Sequence, residues 1–327
     1  MKVRRIICCM CIPPLFLLIF TLSTTTSTIY ARAGKITEYP LPGSNSGPEG
    51  ITRSPDGNLW FTEYNANKIG RITPKGTITE YPIPTANSGP VGITSGPGGN
   101  LWFTEYSGQK IGQITPNGKI TEYRLPKASY AWNITTGPDG NLWFTEYIGN
   151  KIGVMTPRGK VTEYLIATAR TAYPDGITPG PDGNLWFTEY NRSTIGRITP
   201  DGTITEFQIP TPYSYPDGIT PGPDGNLWFT EEYTNKIGQI TLNGKITEYP
   251  LPNPGSYPFD ITQGSDGNLW FTEYGVNKIG KITPHGKITE YLIPTSGSDP
   301  EGITPGPGSS LWFTEYEGNK IGRIMSR

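Results

Sequence analysis

Cysteine disappears from this chain after residue 11, and a single histidine, His285, serves all 327 residues. Cys8, Cys9 and Cys11 lie in a short N-terminal apolar stretch, so the remainder can form no disulfide, thiolate nucleophile or cysteine-ligated zinc site. The one imidazole stands in Pro284-His285-Gly286, a turn whose counterparts hold Lys75, Asn117, Arg158, Asp201 or Asn243. That excludes Ser-His-Asp and Cys-His catalysis and histidine-ligated zinc. Oxygen ligands and carboxylate acid/base chemistry remain.

Other absences narrow the class further. No basic run with interleaved aromatics occurs, and beyond residue 33 there are 23 basic against 28 acidic residues, a net charge of −5, so nucleic acid is not an expected partner. The one long apolar run covers residues 6–22, after Lys2, Arg4 and Arg5 and before a Ser/Thr-rich segment ending in Ala31-Arg32-Ala33. This order is that of a secretory signal peptide over residues 1–33, with export of residues 34–327 expected. The alternative is a membrane anchor over residues 6–22, and membrane contact is expected only if this leader stays attached.

What is present is repetition. Leu-Trp-Phe-Thr-Glu occurs seven times, with tryptophans at 60, 102, 143, 186, 228, 270 and 312, so the period is 41–43 residues. In the first full period, strands are predicted around Gly50-Ile51-Thr52, from Leu59 to Tyr64, from Lys68 to Thr73 and from Thr77 to Pro82, separated by Pro-Asp-Gly-Asn and Pro-Lys-Gly turns. Glycine and proline make up about 23% of the chain but fall at fixed turn positions, which argues for order rather than low complexity. Seven such units with no helical pattern predict an all-β, seven-bladed β-propeller with four antiparallel strands per blade. An orphan fourth strand, Lys35-Ile36-Thr37-Glu38-Tyr39, precedes the first blade, and the last stops after Lys320-Ile321-Gly322-Arg323-Ile324. Pairing these two would close the ring and cover an exposed edge. One propeller accounts for the whole of residues 34–327, and a monomer is expected.

Residues repeated in every blade belong first to the scaffold. The motif glutamates Glu63, Glu105, Glu146, Glu189, Glu231, Glu273 and Glu315 are expected to bond neighbouring strands or loops, and the recurring lysines are accounted for by a solvated strand edge. The informative position is the one just before the innermost strand, which varies: Glu49, Val91, Trp132, Asp175, Asp217, Phe259 and Glu301. These seven should ring one mouth of the central channel, with Glu301 and Glu49 adjacent across the closure. Asp175 and Asp217 should be adjacent on the far arc, between the aromatic walls Trp132 and Phe259. A concave, acidic, aromatic mouth is the expected site for a small-molecule or peptidic ligand.

Three segments carry a family resemblance: Gly-Pro-Asp-Gly-Asn-Leu-Trp-Phe-Thr-Glu-Tyr at 137–147, Asn-Lys-Ile-Gly-Arg-Ile-Thr at 67–73, and Ile-Thr-Glu-Tyr-Pro-Ile-Pro at 78–84. Over residues 35–325 the chain resembles the streptogramin B lyases, also called virginiamycin B lyases. The resemblance implies a Mg²⁺-dependent elimination that opens an ester-closed antibiotic ring, with a general-base histidine and a second, substrate-contacting histidine. It places the metal ligands at Asp299 and Glu315, the base position at Glu301 and the second histidine position at Phe259, so neither position carries an imidazole here. Ca²⁺ is the alternative metal. A non-catalytic binding propeller using Trp132 and Phe259 is the rival from another class, and a calcium-dependent lactonase is a weaker third.

Overall fold

The computed structural model describes residues 34–167 and 171–327, so the expected leader lies outside the described residues. Among those described, no helix is long and apolar enough to cross a membrane. Seven four-stranded antiparallel sheets form, and their innermost strands neighbour one another in a closed cycle. Blade 1 consists of Pro48–Arg53, Leu59–Glu63, Lys68–Ile72 and Ile78–Pro82, from the channel outward. The inner strands of blades 2 to 7 are Pro90–Ser95, Ala131–Thr136, Pro174–Pro179, Pro216–Pro221, Pro258–Gln263 and Pro300–Pro305. Blade 7 is completed by Ser310–Glu315, Lys320–Met325 and, from the other end of the chain, Ile36–Pro40. That closing strand runs in register from Ile36 opposite Ile324 to Pro40 opposite Lys320. It sits one residue later than the sequence pattern placed it.

Each interface between blades is one small core. Trp312 of blade 7 packs with Ile51, Leu59, Phe61 and Ile72 of blade 1, and six equivalent clusters complete the ring. This is why Leu-Trp-Phe is apolar on both faces of its strand: tryptophan faces the next blade while leucine and phenylalanine face the previous one. Gly70 is required by the same packing, since a Cβ there would lie 2.1 Å from the Phe61 ring. The Asp-Gly turns also have a structural use. In blades 3 to 6, Asp139, Asp182, Asp224 and Asp266 accept the indole N–H of the motif tryptophan at 3.0–3.1 Å.

The recurring lysines do more than cover a solvated edge. Lys68 reaches Glu80 at 2.6 Å, Lys151 reaches Glu163 at 2.7 Å and Lys278 reaches Glu290 at 2.7 Å, each half-buried against the fourth strand. The pairing follows from the register, which sets the lysine strand beside the glutamate strand.

A second repeated device ties the blades together at the channel. Each motif threonine accepts the backbone N–H of its own inner strand and donates to a carbonyl of the next blade: Gly176 N–H to Thr188 at 2.9 Å, and Thr188 to Asp217 O at 2.7 Å. The same clasp recurs from Thr62 to Val91 and from Thr314 to Glu49. Thr188→Val keeps the shape but orphans one buried donor and one buried acceptor, an expected loss of about 2–4 kcal/mol. Thermal melting should show a fall of several degrees for valine and little change for Thr188→Ser. A valine variant as stable as the parent would show that the clasp contributes nothing.

Candidate functional site at the channel mouth

The inner strand of every blade carries a bulge against its neighbour, between Pro48 and Ile51 in blade 1 and at the equivalent place in the other six. A bulge inserts a residue that re-aims a side chain. Here it turns the variable residue into the channel, while the next residue packs against the adjacent blade. In blade 1 that next residue is Gly50, where a Cβ would lie 2.5 Å from Val91 O. The channel and its mouth are lined by Glu49, Val91, Trp132, Asp175, Asp217, Phe259 and Glu301.

Blades 3 and 6 break the glycine rule with Asn133 and Asp260. Asp260 uses the space to cross to blade 7, accepting Ile303 N–H at 2.9 Å as well as Ile261 N–H at 2.8 Å. Sequence reasoning missed it as a channel residue, although an aspartate replacing a repeated glycine was the available signal.

The electrostatics of the mouth are those of acids without counter-charge. Burial is the main cause of an upward shift in Glu49, Asp175, Asp217 and Glu301, and repulsion among the acids adds to it. Asp260 is pushed up to about 6 by burial, with its two backbone N–H groups acting in the opposite direction. Glu49 and Asp217 are 9% and 7% exposed as residues and their carboxyl groups accept no hydrogen bond among the described residues, while Asp175 is held by the Trp132 side chain. One oxygen of Glu301 is fully buried without a partner.

Above the ring lies an aromatic rim. The residue after each motif is Tyr64, Tyr106, Tyr147, Tyr190, Tyr274 or Tyr316, except in blade 5, where Glu232 takes the place. Glu232 accepts hydrogen bonds from the flanking hydroxyls of Tyr190 at 2.7 Å and Tyr274 at 2.9 Å. This break in an otherwise constant column is legible in the sequence. A third column, two residues before the ring, is Gly47, Gly89, Tyr130, Tyr173, Tyr215, Tyr257 and Asp299, all with φ between 46° and 59°. Glycine takes that conformation freely. A tyrosine does so at a cost of roughly 1–2 kcal/mol, and such strain gathers where side chains must be aimed. All four of these tyrosines pack on the rim: Tyr173 stacks on Tyr147 at 4.9 Å and Tyr257 on Tyr274 at 5.3 Å, while Tyr130 meets Tyr106 at 5.4 Å and Tyr215 meets Tyr190 at 5.0 Å, both tilted.

Asp299 lines the mouth with Glu301 and Glu317. Glu315 is placed elsewhere: it is fully buried, and its carboxyl is pushed up to about 8 by burial, with repulsion from Glu38 added. Its six counterparts are shifted to about 7 or 8 in the same way. Among the described residues, no three histidine, cysteine, aspartate or glutamate side chains converge to hold a metal ion. His285 is exposed in its turn.

Comparison with known proteins adds a second line of argument. The profile of the virginiamycin B lyase family matches residues 18–178 and 134–327. The virginiamycin B lyase of Bacillus licheniformis is 51% identical over 42 residues, a match that spans only 14% of that protein's length and 13% of this chain. Selenomethionine-substituted virginiamycin B lyase from Staphylococcus aureus superposes with a TM-score of 0.86 at 47% identity, covering 89% of this chain and 99% of that one. A catalytically inactive histidine-to-alanine variant of the Staphylococcus aureus enzyme, solved with quinupristin, matches with a TM-score of 0.86 at 46% identity over the same shares.

Proposed function

Because the chain belongs to the virginiamycin B lyase family, we propose that it is an exported propeller that binds a small or peptidic ligand at its channel mouth without linearising streptogramin B. The observation that carries this reading is the chemistry of two ring positions. Glu301 and Phe259 stand in the mouth where the family resemblance implies imidazoles, and the one histidine is in an exposed turn. Elimination requires a base that removes a proton next to a carbonyl. Glu301 is shifted upward by burial and by Glu49 and Asp299, which disfavours the ionised form that could accept a proton. Binding, in contrast, needs only the concave aromatic mouth. The variant of a relative that lacks one histidine is inactive yet was solved with quinupristin, which supports separating binding from turnover. The Mg²⁺ implied by the resemblance, with Ca²⁺ as the alternative, would draw on Asp299 at the mouth and on Glu315 buried in the same blade, with waters completing its oxygen shell. Export rests on the order of charge, apolar core and small residues in the leader.

A second reading has one observation in its favour. A carboxylate with an upward-shifted pKa is a stronger base once ionised, and the unpartnered buried oxygen of Glu301 lies at the mouth. Incubation of residues 34–327 with a streptogramin B and Mg²⁺, followed by mass analysis, separates the two. No linear product is expected from the parent protein, together with binding that Trp132→Ala weakens. Glu301→His combined with Phe259→His is expected to gain measurable linearisation. Linearisation by the parent that Glu301→Gln abolishes would overturn the proposal in favour of Glu301 as the base.

A further inference from the structure

The far arc of the mouth, across blades 3 to 6, has a chemistry of its own. In ring order it reads Trp132, Asp175, Asp217, Phe259: two acids between two aromatic walls. Asp175 and Asp217 are 5% and 7% exposed and face the same cavity, of about 350 Å³. Asp217 accepts no hydrogen bond among the described residues, and burial with repulsion from Asp175 and Glu232 disfavours its ionised form, a cost that a cation seated beside it would relieve. The rim above supplies more π surface. Trp132 packs on Tyr147 at 5.3 Å, and Phe259 meets Tyr274 edge-on at 6.4 Å. Glu232 fixes Tyr190 and Tyr274 by their hydroxyls, and the strained Tyr173 and Tyr215 brace the same wall from behind.

We propose that this arc is a binding subsite for an organic ammonium group, seated between Trp132 and Phe259 with Asp175 and Asp217 as its counter-charge. The inference rests on the ligand-binding reading above and names the chemical class that the mouth selects. Aromatic faces attract a desolvated cation through their quadrupoles, by up to about 2 kcal/mol or more, and they suit alkylammonium groups, which shed water readily. A small inorganic dication fits less well. Mg²⁺ keeps an octahedral oxygen shell with several waters, and here two of the four ring positions are apolar walls. A neutral ligand would leave both acids uncompensated. Pre-stacked tyrosines reduce the ordering cost of binding, which gives their left-handed backbones a purpose that packing alone does not.

The test uses residues 34–327 and three probes at pH 8: choline chloride, its uncharged isostere 3,3-dimethylbutan-1-ol, and MgCl₂, each titrated by calorimetry. Choline is expected to bind at least tenfold more tightly than the isostere, and Asp217→Asn and Trp132→Leu are each expected to weaken it tenfold or more. Asp217→Asn should also raise the melting temperature, because it removes a buried repulsion, and a cooperative melt would show that the fold survives. Equal binding of choline and the isostere would reduce the subsite to an apolar pocket. Displacement of choline by Mg²⁺ at similar concentrations would make it an inorganic cation site. No heat with choline at tens of millimolar would remove it altogether. Loss of choline binding with streptogramin B binding intact sinks this inference alone, and the converse sinks only the antibiotic-binding reading.

Discussion

Removal of residues 34–42 is expected to leave a protein that is insoluble or melts at least 10 °C lower. The segment contributes a whole strand to blade 7, paired from Ile36 to Pro40. Tyr39 stacks on Trp312 at 5.4 Å, Leu41 is buried in the cluster between blades 7 and 1, and Glu38 accepts Thr295 N–H at 3.0 Å while lying 3.6 Å from Lys320. Leu41 is buried while Ile36 and Tyr39 are partly buried, which together accounts for about 3–5 kcal/mol. That is a large share of the stability of an ordinary domain, about 5–15 kcal/mol. The truncation also exposes the Lys320–Met325 edge, a template for aggregation. A synthetic peptide of residues 34–42 should bind that edge and restore part of the stability, as added strands do. A truncated protein with the parent's melting temperature would show that the ring does not depend on this strand.

The second large effect is a stability that declines with pH where most proteins are near their best. Seven motif glutamates are fully buried, and burial, with repulsion from a fourth-strand glutamate added, raises each from 4.5 to about 7 or 8. In the unfolded chain they lose their protons near 4.5, whereas in the fold they keep them to 7 or 8. Between those values the folded state binds more protons, so its stability falls as pH rises. The contribution is complete below 4.5 and is lost as pH passes through 8. A shift of three units corresponds to about 4 kcal/mol for one group, and seven cannot act at full strength within a total of about 5–15 kcal/mol. The expected net loss between pH 5 and pH 9 is at least about 5 kcal/mol, or some 10 °C.

Below pH 4.5 the slope reverses. Glu38, Glu122 and Glu248 are driven up by burial but end below their ordinary value, because hydrogen bonds and the neighbouring lysines hold their charge. Their contribution is present above the unfolded value and lost in acid, so maximal stability belongs near pH 5. Melting curves at pH 5, 7 and 9 test this, and Glu146→Gln should flatten the slope by taking one group out of the titration. A melting temperature that rises from pH 5 to pH 8 would refute the protonated-glutamate account.

The sequence by itself determined the fold, the blade count and the closure, because each is a property of spacing. A 41–43-residue period with strand, turn and strand at fixed offsets leaves one way to bury Leu-Trp-Phe on both faces, and complementary ends leave one way to close the ring. It also identified the variable column that lines the channel, since Glu49, Trp132, Asp175, Asp217, Phe259 and Glu301 change where everything around them repeats. Two further breaks in the repeat were equally visible, Glu232 for tyrosine and Asp260 for glycine. Their meaning was not, because it depends on which blades lie on either side: Glu232 matters through the hydroxyls of blades 4 and 6, and Asp260 through a backbone N–H of blade 7.

Tertiary structure alone decided the rest. The motif glutamates read as simple scaffold until the third dimension set each carboxyl beside a second one in a dry interior, which makes them proton holders. The lysines read as solvated until register placed them on the fourth-strand glutamates. Nothing in the sequence pattern set Tyr130, Tyr173, Tyr215 and Tyr257 apart; only the structure gave them left-handed backbones and packed their rings on the rim. Local pattern fixes which strands form and which face they bury; charge state, strain and the shape of a cavity depend on groups distant in the chain, and only the closed ring brings those together.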